Sequence, residues 1–451
     1  MRIINNFQLY KIKDFLFYTI LFLLNIILSF LNSKSAMMGG LMDYYNDFSN
    51  IIVNHFDSSF GKMKTPAFPM WGYGGVLLLS KKRAYLYLIQ SLFSFFIFIS
   101  FIKFSRKFKI YNEESLNTFK YLVLFSVSFL SLNFTLSPYS LSINFLIIAI
   151  IYYTIAMHES KVWYIILSST FYGLLLNFRS DYIYFTIFLP IISIFFFSKK
   201  SILKLNILWL VVVGLFMLPW ILYTYKSIGK AMITSTNSGH VFYIGLGNLP
   251  NNKWGITTSD HDLRMYNELR KKFGNNANSL NYNEDIFLKQ RFITLIKNEP
   301  FEYLKKITYS AIKTIISGIY VPEFYNLRKN CINGCKTEFD FDITNRPIKS
   351  LFDSSEKFIL YSVSYISILI GVLILFSSYI MLPYVFLKSF KTKNILLFLS
   401  CLILLYQLCI CSFAYTMRLY SSYSYFWSVL IIVYFIHQIK FPILNGTSKY
   451  K

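Results

Sequence analysis

Charge is scarce in this sequence, and the scarcity removes the commonest class of protein first. Charged residues make up 15% of the chain, against about 25% in an ordinary soluble globular protein. Acidic residues are the scarcer sign, with 21 Asp and Glu against 45 Lys and Arg. Cysteine is sparse at five. Cys331 and Cys335 stand four apart with no histidine or second cysteine pair at zinc-ligand spacing, which argues against a metal site there. His55, His158, His240, His261 and His437 are scattered, and no metal is assigned to any of them. Neither a Walker loop nor a dinucleotide fingerprint is present. No internal repeat is visible, which weakens a transporter built from inverted halves. Alanine and proline are used sparingly and Phe, Tyr, Ile, Asn and Lys heavily, a bias suggesting an AT-rich genome, so aromatic abundance carries little about function.

What the chain has is apolar sequence, with 55% of its 451 residues hydrophobic and a positive mean hydropathy. Its charges fall between long apolar runs, as a bilayer requires when each span buries roughly 20 residues. Runs at 15–31, 84–102, 121–136, 139–157, 162–177, 182–197, 205–225, 358–376, 395–414 and 420–436 predict about ten spanning helices. The first follows Arg2, Lys11 and Lys13 with no small-residue cleavage site close behind it, so it reads as an uncleaved span.

Placing the N-terminus in the cytoplasm tests that layout. Inside segments then hold Lys103, Arg106, Lys107 and Lys109, Lys199, Lys200 and Lys204, Lys388, Lys391 and Lys393, and Lys440. The short outside turns hold only Arg179 and Arg418. The asymmetry predicts an all-α polytopic membrane protein with both termini cytoplasmic. Lys81, Lys82 and Arg83 break the rule by falling outside. They make 66–80, with its two prolines and Gly72, Gly74 and Gly75, an interfacial or re-entrant segment. The net charge of +24 reads as orientation plus affinity for anionic lipid rather than nucleic-acid binding, since no polybasic face stands outside the membrane.

Three parts follow. Residues 1–225 form a transmembrane module with a first outer loop at 32–83, residues 226–356 a large outer loop of mixed structure, and residues 357–451 the C-terminal spans. In the large loop, 284–298 is amphipathic, and Pro300 suits the first turn of a helix over 300–319. Ile312, Ile315, Ile316 and Ile319 with Lys305, Lys306 and Lys313 make that helix one that lies on the outer leaflet. Cys331 and Cys335 form a local disulfide if this loop is oxidised.

The ionisable side chains with a candidate role gather on the outer side. Asp43 and Asp47 follow the first span four residues apart, on one helical face. A carboxylate there can take the proton of an attacking hydroxyl, or simply solvate a helix start. Arg179, in Asn177-Phe-Arg179-Ser-Asp181, can bind a lipid phosphate or pair with Asp181. Arg418 is the other lone charge at that depth. The stretch 234–252 is polar and glycine-rich, and offers Asn237, Gly239, His240 and Asn248 to sugar hydroxyls or is an irregular connector. Ser259-Asp260-His261 shows no sign of triad geometry. Glu338, Asp340 and Asp342 lack a calcium-loop pattern.

In order, these features resemble the C-type membrane glycosyltransferases, especially the family-39-like bacterial group akin to protein O-mannosyltransferases and lipid A aminoarabinose transferases. The resemblance runs from the first span to about Tyr320. It is carried by Asp43, Thr65-Pro-Ala-Phe-Pro69-Met-Trp-Gly, Arg179-Ser-Asp181, Gly239 to Pro250, and Asn298-Glu-Pro300. It implies a bundle with a catalytic first outer loop and inverting transfer from a polyprenyl-phosphate sugar to a lipid, glycan or protein acceptor in the bacterial inner membrane. Asp43 would be the base with Asp47 second, Arg179 and Arg418 would hold the carrier phosphate, and no cofactor is indicated, though a divalent cation is compatible. Tyr44 stands where the family often has a second acid, and 137–144 lacks the acid common after its Ser-Pro turn. The alternatives are an O-antigen-type polymerase or ligase relying on Arg264, Arg270 and Arg291, and a lipid-linked sugar flippase or transporter.

Overall fold

The computed structural model describes residues 2–32, 83–126, 129–130, 138–197, 200–234, 236–279, 281–316, 355–415 and 418–440. Asp43, Asp47, the expected re-entrant segment at 66–80, Cys331, Cys335 and the carboxylates at 338–342 lie outside them. The N-terminal part comprises α1 (Arg2–Asn32), α2 (Arg83–Lys107), α3 (Glu113–Phe125), α4 (Pro138–Glu159), α5 (Val162–Phe178), α6 (Phe185–Phe196) and α7 (Lys200–Ile228). The large loop folds as α8 (Ser238–Gly245), α9 (Leu263–Phe273), α10 (Tyr282–Asn298) and α11 (Pro300–Ile316). Then come α12 (Ser355–Lys391), α13 (Ile395–Phe413) and α14 (Arg418–Lys440).

No strand occurs among the described residues, so the large loop is helical rather than mixed where it is described. Five helices among the described residues, α2, α4, α7, α12 and α13, are long and apolar enough to cross a membrane, while α5 and α6 are apolar but shorter. Helix α3 starts ahead of the expected span at 121–136 and covers its first five residues, while 127–128 and 131–136 lie outside the described residues. Its start is set by Asn112, whose side chain accepts the Ser115 N–H at 2.8 Å, with Glu113 and Glu114 favouring the positive end of the helix.

The outside of the bundle is oily. On α7 the exposed side chains include Leu203, Ile207, Leu210, Val211, Leu215, Leu218 and Leu222, which recur at helical spacing. At about 1 kcal/mol forfeited per half-exposed side chain, that stripe alone would forfeit about 7 kcal/mol in water. A whole domain is stable by only about 5–15 kcal/mol. Lipid is the solvent that removes the conflict. Inside, polar side chains join the helices. Tyr153 donates to Asn206 Oδ1 at 2.7 Å, and the Trp209 indole donates to Ser168 Oγ at 3.1 Å.

The bundle has two distinguishable ends. At one, Lys107 at the end of α2 meets Glu159 at the end of α4, and Asn112 meets His437 near the end of α14. Antiparallel connections put Lys161, Lys391 and Lys393 at this basic end as well. The far end carries Arg179, the close of α13 and the start of α14. The unit α8–α11 packs there around its own core of Tyr243, Leu246, Trp254, Met265, Leu269, Leu288, Phe292 and Leu295.

Candidate functional site

Arg179 stands where α5 runs out, its backbone N–H still bonded to the Leu175 carbonyl at 2.7 Å. Its guanidinium pairs with Asp181 and lies 5.8 Å from the centre of the Tyr423 ring. Tyrosine hydroxyls fix the turn after it. Tyr172 donates to the Tyr182 carbonyl at 2.8 Å, Tyr182 donates to Gln407 Oε1 at 2.9 Å, and Tyr406 donates to the Asp181 carbonyl. Tyr423 in turn hydrogen-bonds Ser142. The arginine is thus largely buried and held from three helices, and a guanidinium over an aromatic face keeps its charge while losing little entropy.

The glycine-rich stretch is an ordered element. It forms α8 followed by a short 3₁₀ turn, Leu246–Asn248, so the irregular-connector reading is corrected. Glycine is read in sequence as a breaker, but here it allows close approach. A Cβ on Gly239 would stand 2.1 Å from the Asp285 carbonyl oxygen, and one on Gly245 would stand 2.2 Å from the Ala414 carbonyl oxygen. The Gly239 N–H donates to Asp285 Oδ1 at 2.5 Å. Through Gly245 the turn is pressed against the end of α13.

That turn carries polar atoms with nothing to bond. Asn248 is 4% exposed, and neither its amide nitrogen nor its amide oxygen has a partner among the described residues. Asn237 Oδ1, His240 Nδ1, the Tyr243 hydroxyl and Ser310 Oγ are enclosed in the same condition. Buried polar groups are normally satisfied, so these atoms have capacity for a further hydrogen-bond partner. The other imidazole nitrogen of His240 stands 3.1 Å from Asp260 Oδ1. That hydrogen bond holds the Asp260 carboxyl below its usual value, against the opposing effect of burial.

Lys306 ties the two halves together. It comes from α11, is 0% exposed, and donates to the carbonyls of Ser412, Phe413 and Ala414 at 2.8, 3.1 and 2.6 Å. These are the acceptors that the end of α13 leaves open. Burial pulls its ammonium down to about 7. Tyr303 donates to the Phe413 carbonyl at 3.1 Å beside it. Arg179 and Lys306 both lie within electrostatic reach of the Cys411 sulfur, so the arginine, the end of α13 and the Asn248 turn share one end of the bundle.

Of the residues picked from sequence, Arg179, Asn237, Gly239, His240 and Asn248 come to this end, and Gly239 serves packing. Arg418 opens α14 at the same end, its side chain outside the described residues. Sequence reasoning counted Lys306 among the cations of a surface helix, whereas it is buried, and it missed Asp285 and the His240–Asp260 pair. Asp260 was visible only in its tripeptide, and its partner lies twenty residues upstream. Of the loop arginines, Arg291 is bound to both oxygens of Glu268 at 2.8 and 3.2 Å, and Arg264 donates to the Trp254 carbonyl. Among the described residues no group of three or more His, Cys, Asp or Glu is placed to hold a metal.

The fold and the oily exterior define an all-α membrane protein. Comparison with known proteins takes this no further, since no family, no curated protein and no solved structure matches the chain.

Proposed function

We propose that this protein is a bacterial inner-membrane glycosyltransferase that moves a sugar from a polyprenyl-phosphate carrier to a lipid, glycan or protein acceptor at the face carrying Arg179. The observation that carries the reading is the pairing, at one end of the bundle, of a clamped and largely buried arginine with an enclosed amide, Asn248, that lacks partners. The arginine suits a phosphate, and an amide with donor and acceptor both free suits sugar hydroxyls. Asp43 is the base, with Asp47 second. Its carboxylate removes the proton of the acceptor hydroxyl, whose oxygen bonds to the anomeric carbon from the face opposite the carrier. The bond from that carbon to the phosphate oxygen breaks, and its electron pair leaves on the carrier phosphate. Arg179 and Arg418 take up that charge. Arg264 and Arg291 are already engaged by Glu268 and the Trp254 carbonyl, which disfavours a polymerase or ligase that needs free loop arginines.

The test is transfer by purified protein from a synthetic polyprenyl-phosphate sugar. Wild type is expected to turn over. Asp43→Asn and Arg179→Ala are each expected to lose about a hundredfold or more in kcat while remaining folded. Full activity in Asp43→Asn removes the base assignment, and no transfer by wild type from any such donor removes the reading.

A further inference from the structure

Helix α11 is amphipathic the wrong way round for a helix in water. Glu302, Lys306, Ser310 and Thr314 recur every fourth residue, and all four are buried. They face the bundle, where Lys306 meets the carbonyls of 412–414 and Glu302 accepts the Lys253 N–H at 3.1 Å. The opposite stripe is bare and mainly apolar, interrupted by Lys305 and Thr308. Phe301 is 81% exposed, Leu304 58%, Ile312 53% and Ile316 52%. Spacings of three, eight and four residues keep these side chains on one side of a helix.

In water this arrangement loses twice. The apolar stripe forgoes its burial, while Lys306 and Glu302 still bear the cost of desolvation. In a bilayer interface neither objection stands, because the outward stripe is solvated by acyl chains and the inward polar side chains find protein partners.

We infer that α11 is immersed in the lipid leaflet at the Arg179 end of the bundle, with Phe301, Leu304, Ile312 and Ile316 among acyl chains. Two further observations fix lipid as the occupant. The stripe continues the oily exterior, since α11 packs on α12 and α13, whose Leu369, Leu373, Phe376 and Phe413 are exposed in the same way. Exposed basic side chains lie beside the helix at Lys253 and Lys297 and within its outward stripe at Lys305, whose long stem lets the ammonium reach anionic headgroups. The inference rests on membrane residence alone and is independent of any transferase activity.

The experiment uses the full chain, one copy per lipid nanodisc, with a phospholipid bearing a photoactivatable diazirine on its acyl chain. Labelled peptides are then mapped by mass spectrometry. Helix α7 serves as the lipid-facing reference. Helix α9 serves as the reference away from lipid, although its Leu263 is exposed. Peptides of α11 are expected to label within about a factor of two of α7 and about tenfold above α9. Label on α7 with none on α11 overturns the inference. So does label on α11 that is lost when two copies share a disc, because a second copy then takes the stripe. No sugar donor enters the measurement, so its failure is distinct from a failure of the transferase reading.

Discussion

At the basic end of the bundle Arg106 forks between two carboxylates, whereas at the far end the Asn248 amide finds no partner among the described residues. Arg106 donates to Asp14 at 2.5 and 3.1 Å and to Glu113 at 2.6 and 3.0 Å. The nearly buried Lys120 shares Asp14 at 2.5 Å, and Glu159 takes both Lys107 and Lys161. Asp14, Glu113 and Glu159 are each held by at least one cation. The far end keeps donors and acceptors in reserve.

Substitutions can break this contrast. At a single pH the largest effect on stability is expected from Arg106→Ala, which leaves Glu113 unpaired and Asp14 with Lys120 alone, and should cost about 2 kcal/mol. Its check is thermal unfolding in detergent, with transfer activity per folded molecule unchanged. Asn248→Leu should act in the opposite sense. Replacing an enclosed, unpartnered amide by an apolar group of similar size is expected to raise stability by about 1 kcal/mol while weakening the sugar's KM. If Asn248→Leu lowers stability instead, the amide has a partner in the folded protein and the far end is as satisfied as the basic one.

A further effect is read as a slope with pH rather than at one condition. Lys306 in the folded protein gives up its proton near 7, against 10.5 for an ordinary lysine. Between those values the unfolded chain binds more protons, so stability contributed by this group rises with pH across that window. Lys306→Met should flatten the slope, and a midpoint-against-pH series for both proteins measures it. A slope unchanged by the substitution assigns the pH dependence to another group.

Much of the bundle was legible because an apolar run of bilayer length has few alternatives, and α4, α7 and α13 lie close to where such runs predict them. Boundaries were less legible where a polar cap competes with an apolar run, as Asn112 does in starting α3 early. The far end was legible in its charges but not in its contacts. Lys305 and Lys306 are equivalent in a composition window, yet one is exposed and the other wholly buried, because adjacent helical positions point about 100° apart. The glycines of α8 were read as donors for a ligand, while their use depends on the carbonyls of Asp285 and Ala414, which are far away in sequence.

The ammonium on the last carbonyls of α13 has an electrical consequence. A helix presents about half a negative charge at its C-terminus, and α13 ends at the same face as Arg179. Left bare, that end would repel an approaching phosphate and offset part of the attraction the arginine exerts. Lys306 screens it from within, at a position no solvent ion needs to fill. That screening depends on a proton held only to about pH 7, so the end of α13 turns more negative as the pH rises past that value.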